Sequence, residues 1–151
     1  MTLNFTNVFD MADISFSSTY TYIHSRNQAD IDDSFVNKGD KFERLPEHKF
    51  TFDFRTYFKT NTSFMIFGNF EFNQIQYVMS SIPKATDDFS ASYYNALELH
   101  NPLKIDIKLS QKIFKNYEVY LMCKNILDDY NADPFDPGSG RMWYAGVKAS
   151  F

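Results

Sequence analysis

Six stretches of this chain alternate in chemistry with a period of two residues. Read at every second position, they give Ile14, Phe16, Ser18, Tyr20, Tyr22; then Phe50, Phe52, Phe54, Thr56, Phe58; then Phe64, Ile66, Gly68, Phe70, Phe72. The later three give Leu103, Ile105, Ile107, Leu109; Tyr117, Val119, Leu121, Cys123; and Trp143, Ala145, Val147, Ala149, Phe151. None of these positions is charged, in a chain that is 23% charged. The interleaved positions hold Asp53, Arg55, Glu71, Lys104, Asp106, Lys108, Glu118, Lys124 and Lys148, with Ser15, Ser17, Thr19, Thr21, Thr51 and Asn69 among the uncharged ones. Successive side chains of a strand point to opposite faces, so each stretch reads as a strand with one apolar and one polar side. The pattern predicts an all-β fold, an antiparallel meander with two different environments on its two faces. Stretches of about ten residues match a tilted strand crossing a bilayer. No stretch carries a helical period long enough to predict a long helix.

The connections vary in a regular order. His24 to Glu47 is long and Lys59 to Thr62 short; Gln76 to Pro102 is long, Phe114 to Asn116 short, and Asp128 to Gly140 of middle length. Outer-membrane barrels put short turns on one side of the membrane and long loops on the other. On that frame the last strand runs toward the short-turn side and Phe151 ends there. A further stub at Thr2 to Val8 is compatible with a seventh strand.

Composition narrows the class. With 151 residues the chain has the length of one domain. Seventeen Phe and ten Tyr exclude disorder, since disordered chains lack aromatics. No apolar run approaches the about 18 residues of a helical span. A net charge of −4 without a basic block argues against nucleic acid as partner. Cys123 is the lone cysteine, which excludes an internal disulfide and a cysteine-built zinc site. The first residues, Met1 to Phe5, show no secretory signal.

No nucleophile elbow, phosphate loop or paired-carboxylate motif is present, so no catalytic, cofactor or metal residue is assigned and the chain is not read as an enzyme. His24, His48 and His100 fall at strand ends and are expected in solvent. Asp30, Asp32, Asp33, Asp87 and Asp88 read as solvated loop charges. Asp128, Asp129, Asp133 and Asp136 share one loop, but the spacing of a calcium hand fails. Cys123 is expected to face lipid, and Met65, Met122 and Met142 to pack on the polar face. Tyr20, Tyr22, Tyr117 and Trp143 are candidates for an interfacial aromatic girdle. The nine wall charges are expected to hold a plug and water, and Phe35, Tyr93 and Tyr94 on the long loops are candidate ligand contacts.

Several short motifs, in order, resemble the C-terminal barrel portion of TonB-dependent outer-membrane receptors. Lys124-Asn125-Ile126-Leu127-Asp128-Asp129-Tyr130 is similar to that family's N-L-F-D-x-x-Y strand end, with Ile-Leu in place of Leu-Phe. Pro137-Gly138-Ser139-Gly140-Arg141, followed by Met142 to Gly146, resembles its P-G-R-x-x-x-x-G start of the last strand. Tyr20-Thr21-Tyr22 resembles its Y-T-Y strand, Pro46-Glu47-His48-Lys49 its P-x-H-K strand start, and Phe151 the terminal aromatic read by the outer-membrane assembly machinery. Asp13-Ile14-Ser15 stands where many members have Gly-Val-Glu.

The resemblance implies about six transmembrane strands, a partial section of a 22-stranded barrel, with roughly sixteen strands, the plug domain and the TonB-contacting segment lying elsewhere. Residues 1–151 are then a C-terminal fragment. The implied activity is outer-membrane transport, the TonB-dependent uptake of a ferric siderophore or similar bulky scarce nutrient by a larger receptor. The implied partners are outer-membrane lipid, the missing plug and strands, the TonB complex and a small-molecule ligand. Two alternatives stay open: a soluble lipocalin-like or fatty-acid-binding-like barrel, and a small structural or adhesive outer-membrane barrel, which needs at least about eight strands.

Overall fold

The structure is a computed structural model, and it describes residues 1–8, 10–28, 38–80, 93–129 and 138–150. Among these, nine strands form: β1 (Thr2–Val8), β2 (Ala12–Tyr22), β3 (His48–Phe58), β4 (Thr62–Phe72), β5 (Ile75–Ser80), β6 (Tyr93–Glu98), β7 (Leu103–Phe114), β8 (Tyr117–Lys124) and β9 (Met142–Ala149). No helix occurs among the described residues. Seven strands make one antiparallel sheet in the order β1-β2-β3-β4-β7-β8-β9. The six alternating stretches are β2, β3, β4, β7, β8 and β9, and the stub is β1.

Register fixes which side chains share a face. Phe16 pairs with Phe54, Phe54 with Ile66, Ile66 with Ile107, Ile107 with Cys123 and Cys123 with Trp143, so one apolar row runs from β2 to β9. Leu3 pairs with Phe16 and Phe5 with Ile14, which puts β1 in phase with it. A parallel row on the other face runs Ser15, Arg55, Met65, Lys108, Met122, Tyr144. Each row stays true because a slip of one residue would move every Phe to the charged side.

Two glycines sit under aromatic rings. A Cβ on Gly68 would collide with the Phe52 ring, and one on Gly146 with the Tyr120 ring. Both are directly paired cross-strand. The rings cover backbone that a bare glycine would leave open, one on each face.

All long connections emerge at one end of the sheet. The β2–β3, β4–β7 and β8–β9 connections leave from that end, and the β1–β2, β3–β4 and β7–β8 turns lie at the other. In the β3–β4 turn Asn61, at φ 62, donates its N–H to the Phe58 carbonyl at 3.0 Å. Asparagine tolerates this left-handed conformation, which makes so short a turn possible.

The stretch from Gln76 to Pro102 departs from its expected loop character. It holds β5 and β6, a two-stranded hairpin. This hairpin continues the β4–β7 ladder in the same register: Phe70 pairs with Leu103, and Ile75, five residues on, pairs with Glu98, five residues back. Pro102 has no N–H for the ladder, and the next N–H, of Leu103, goes to Asp129 Oδ2 at 2.8 Å. The ladder therefore breaks for one turn and resumes. Six residues at about 3.3 Å each carry it about 20 Å beyond the main sheet.

The sheet encloses no apolar core among the described residues. The buried apolar side chains among them are Ala12, Ile75, Leu99, Pro102 and Cys123, scattered rather than gathered. Leu121 is 48% exposed, Trp143 58% and Val147 68%. The sheet is also open. β1 and β9 are its edges, and in a run of seven antiparallel strands they point the same way. An antiparallel closure between them is therefore impossible without at least one further strand.

Candidate functional site: the charged face

Register gathers all nine wall charges onto one face. Asp53, Arg55, Glu71, Lys104, Asp106, Lys108, Glu118, Lys124 and Lys148 alternate with the apolar rows on every strand that carries them. The face also carries Tyr57, Phe67, Tyr120 and Tyr144, which the sequence pattern did not single out.

Much of this charge is answered within the face. Lys49 Nζ lies 2.7 Å from Glu71 Oε1, and Lys108 Nζ 3.6 Å from Glu118 Oε1. Arg55 grips Asp53 with two N–H donors, at 2.7 and 2.9 Å. Ser63 and Ser110 hydroxyls bond at 2.6 Å. Lys108 also sits 4.9 Å over the centroid of the Tyr120 ring. Bidentate and networked pairs such as these hold geometry better than isolated surface pairs do.

The charged face is also hollow. Two concavities, of about 390 and 440 Å³, both open onto it. The first lies at the long-loop end, lined by Lys49, Thr51, Phe67, Asn69, Lys104, Asp106, Lys124, Asn125, Ser139 and Met142. The second lies at the short-turn end and includes Arg55, Tyr57, Lys108, Lys112 and Glu118.

At the β8–β9 corner the Asp128 and Asp129 carboxylates are engaged by groups of the chain itself. Asp128 Oδ1 accepts the Arg141 N–H at 2.7 Å. Asp129 takes the Leu103 N–H on one oxygen and meets His100 Nε2 at 2.6 Å on the other. Those hydrogen bonds, the Leu103 N–H foremost, hold the Asp129 carboxyl below its ordinary range. Asn125 is the keystone. Its amide donates to the Asp129 and Ser139 carbonyls at 3.0 and 3.1 Å, its side-chain oxygen accepts the Asp129 N–H, and its own N–H goes to Asp106. No cluster of metal-ligating side chains occurs among the described residues. Asp133 and Asp136 lie outside the described residues, as do Asp30, Asp32, Asp33, Phe35, Asp87, Asp88, Tyr130, Pro137 and Phe151; Tyr93 and Tyr94 fall in β6, but their side chains are not described.

His24 and His100 are exposed, as expected, and the histidines also meet neighbouring side chains. His48 stacks on Phe72 with centroids 4.8 Å apart, and its Nδ1 meets the Tyr20 hydroxyl at 2.7 Å. His24 meets the Tyr22 hydroxyl at 3.4 Å. Cys123 belongs to the apolar face as expected but is fully covered, not open to the surroundings. Met65, Met122 and Met142 fall on the charged face. Of the girdle candidates, Tyr20, Tyr22 and Trp143 lie at the long-loop end of the apolar face and Tyr117 at the short-turn end, all exposed.

Beyond the sheet, Glu47 ties two connections together. It is 7% exposed, and its carboxylate takes Arg26 and Lys41 at 3.0 Å each as well as the Asn73 amide. Lys41, then Arg26, outweigh burial and hold this carboxyl below its ordinary range. Close by, Arg44 N–H bonds to the Ile75 carbonyl at 2.9 Å and Tyr77 N–H to Glu43 at 2.6 Å. Burial, with Asp40 nearby, pushes the Tyr77 hydroxyl up. Residues 38–47 thus brace the β5–β6 hairpin.

Comparison with protein-family models, with curated proteins and with solved structures gives no match.

Proposed function

We propose that this chain is a wall section of an outer-membrane transport barrel, the C-terminal part of a TonB-dependent receptor that takes up a ferric siderophore or similar bulky nutrient. The observation that carries the reading is the division of the sheet into two opposed faces with no sealed interior. Exposed Trp143, Val147, Leu121 and Phe50 on one face would be costly in water and suit hydrocarbon. Paired charges on the other face, which is also the hollow one, suit a wet lumen lined against a plug. Long connections at one end and short turns at the other are the asymmetry of such barrels. The open edges of β1 and β9 call for further strands, because unpaired backbone in lipid costs several kcal/mol per group. The Asn125–Asp129 corner and the Tyr20–Tyr22 strand end, which carry the sequence resemblance, fall at the long-loop end of the sheet.

In this reading the fragment supplies wall and outer loops, and energy for uptake reaches the parent through TonB. Adjacent positions of β2 test it in lipid vesicles. Phe16→Arg should cost about 2–4 kcal/mol of insertion free energy, and Ser17→Arg, which faces Asp53, little. Equal costs would reject the lipid-facing assignment. Supplying plug and preceding strands alongside this chain should give siderophore uptake in a TonB-dependent manner; no uptake would reject the transport assignment, and TonB-independent uptake would reject the TonB-dependent class.

A further inference from the structure

We propose that the hollow at the long-loop end of the charged face is a binding subsite for an acidic sugar, a ring bearing one carboxylate and several hydroxyls. The inference rests on the reading of that face as a water-filled lining, and adds the chemistry of what the lining binds. Four neighbouring strands of the sheet meet there, with Lys49 from β3, Asn69 from β4, Lys104 and Asp106 from β7 and Lys124 from β8. Lys49 is already answered by Glu71. Lys104 and Lys124 have no carboxylate partner within 4.0 Å among the described residues. Lys124 sits 5.7 Å from the centroid of the Tyr144 ring, a contact that leaves its three N–H donors unspent. Two ammonium groups against the single Asp106 carboxylate leave one positive charge at the hollow to draw an acid.

The same hollow also wants hydrogen-bond donors. Asn69 gives its amide N–H to Glu71 Oε1 at 3.3 Å, yet its Oδ1 is buried and accepts nothing. Asp106 Oδ1 accepts the Asn125 N–H at 2.8 Å, and its second oxygen takes no donor from a described residue. Ligand hydroxyls, arriving as the lysine stems swing to grip a carboxylate, supply both. Phe67 lines the hollow, and an aromatic ring there suits the C–H face of a pyranose. A volume of about 390 Å³ suits a small-molecule site. An inorganic anion or an alkyl carboxylate satisfies the lysines but leaves both acceptors opposed, and a neutral sugar does the reverse.

The test is an amide NMR titration of the 151-residue chain in detergent micelles, with circular dichroism on the same samples. Sodium D-glucuronate is the probe; D-glucose, hexanoate and inorganic phosphate are the controls at matched ionic strength. The expected result is saturable shifts at Asn69, Lys104 and Lys124, with each control at least about tenfold weaker. Lys104→Gln with Lys124→Gln should weaken glucuronate by about tenfold or more, while Lys112→Gln, at the opposite end, should not. Asn69→Ala should weaken glucuronate and leave hexanoate unchanged. A folded sheet with no saturable shift, equal response to phosphate or hexanoate, or indifference to the lysine variants overturns the subsite alone. A chain that forms its sheet in plain buffer and not in micelles overturns the lipid-facing reading, and the subsite with it.

Discussion

Asn125 shows how a single side chain sets a corner. At φ 50 it turns the chain at the end of β8, and its buried amide and carbonyl bind both limbs of the β8–β9 connection. Asn125→Ala removes these bonds and should lower stability by about 1–3 kcal/mol, read as a shift of the urea midpoint in micelles. An unchanged midpoint would mean the corner is held elsewhere. Gly68 sets a second constraint, because the Phe52 ring occupies the space a side chain would need. Gly68→Ala should cost about 1–3 kcal/mol by the same measurement, and Phe52→Ala in the same chain should relieve that clash. The run from Lys124 to Asp129 stood out in the sequence through resemblance. Its physical reason did not, because its partners Leu103, Ser139 and Arg141 are distant in sequence and meet it only in the folded corner. The same holds for Cys123, whose polarity predicted its face but not its cover.

At the scale of elements, the β5–β6 hairpin was illegible for a definite reason. Alternation records two environments, and a hairpin projecting past the sheet has neither of them. Gln74 and Gln76 are buried there beside Ile75, so polarity no longer tracks the face. What holds the hairpin is the brace at Glu47. Its carboxyl lies below the ordinary value of 4.5, so its contribution is whole above that pH and fades only as pH falls through the lowered value of the folded state. Exchange of the Arg44 N–H, corrected for its intrinsic rate, should be flat from pH 7 to pH 5 and accelerate only at pH below 4.5. Glu47→Gln should accelerate it at pH 7; flat exchange in that variant would reject the brace. Replacing residues 75–98 with a short turn should leave the main sheet's circular dichroism per residue unchanged, because β4 and β7 keep their own ladder.

Across the whole molecule, the two-faced sheet was readable from spacing alone. Phe50 to Phe58 and Leu103 to Leu109 show it most clearly, since both faces of each strand keep one chemistry along their length. The charged face was legible as a list of residues. The hollow at its long-loop end was not, because it forms only where Lys49, Asn69, Lys104 and Lys124 meet across the sheet. The parity of the edges was equally hidden until β1 proved to be a strand. Seven antiparallel strands leave β1 and β9 parallel to each other, so closure requires an odd number of further strands. A closed assembly with an even number added would contradict the meander.

In the proposed function the apolar rows meet hydrocarbon and the charged rows meet water. Spin labels placed one at a time from Leu103 to Leu109, in a Cys123→Ser background and in lipid vesicles, test it directly. Oxygen accessibility is expected to peak at residues 103, 105, 107 and 109, and accessibility to a water-soluble nickel reagent at residues 104, 106 and 108. Odd positions shielded from both reagents would place Leu103, Ile105, Ile107 and Leu109 in a closed interior and contradict it.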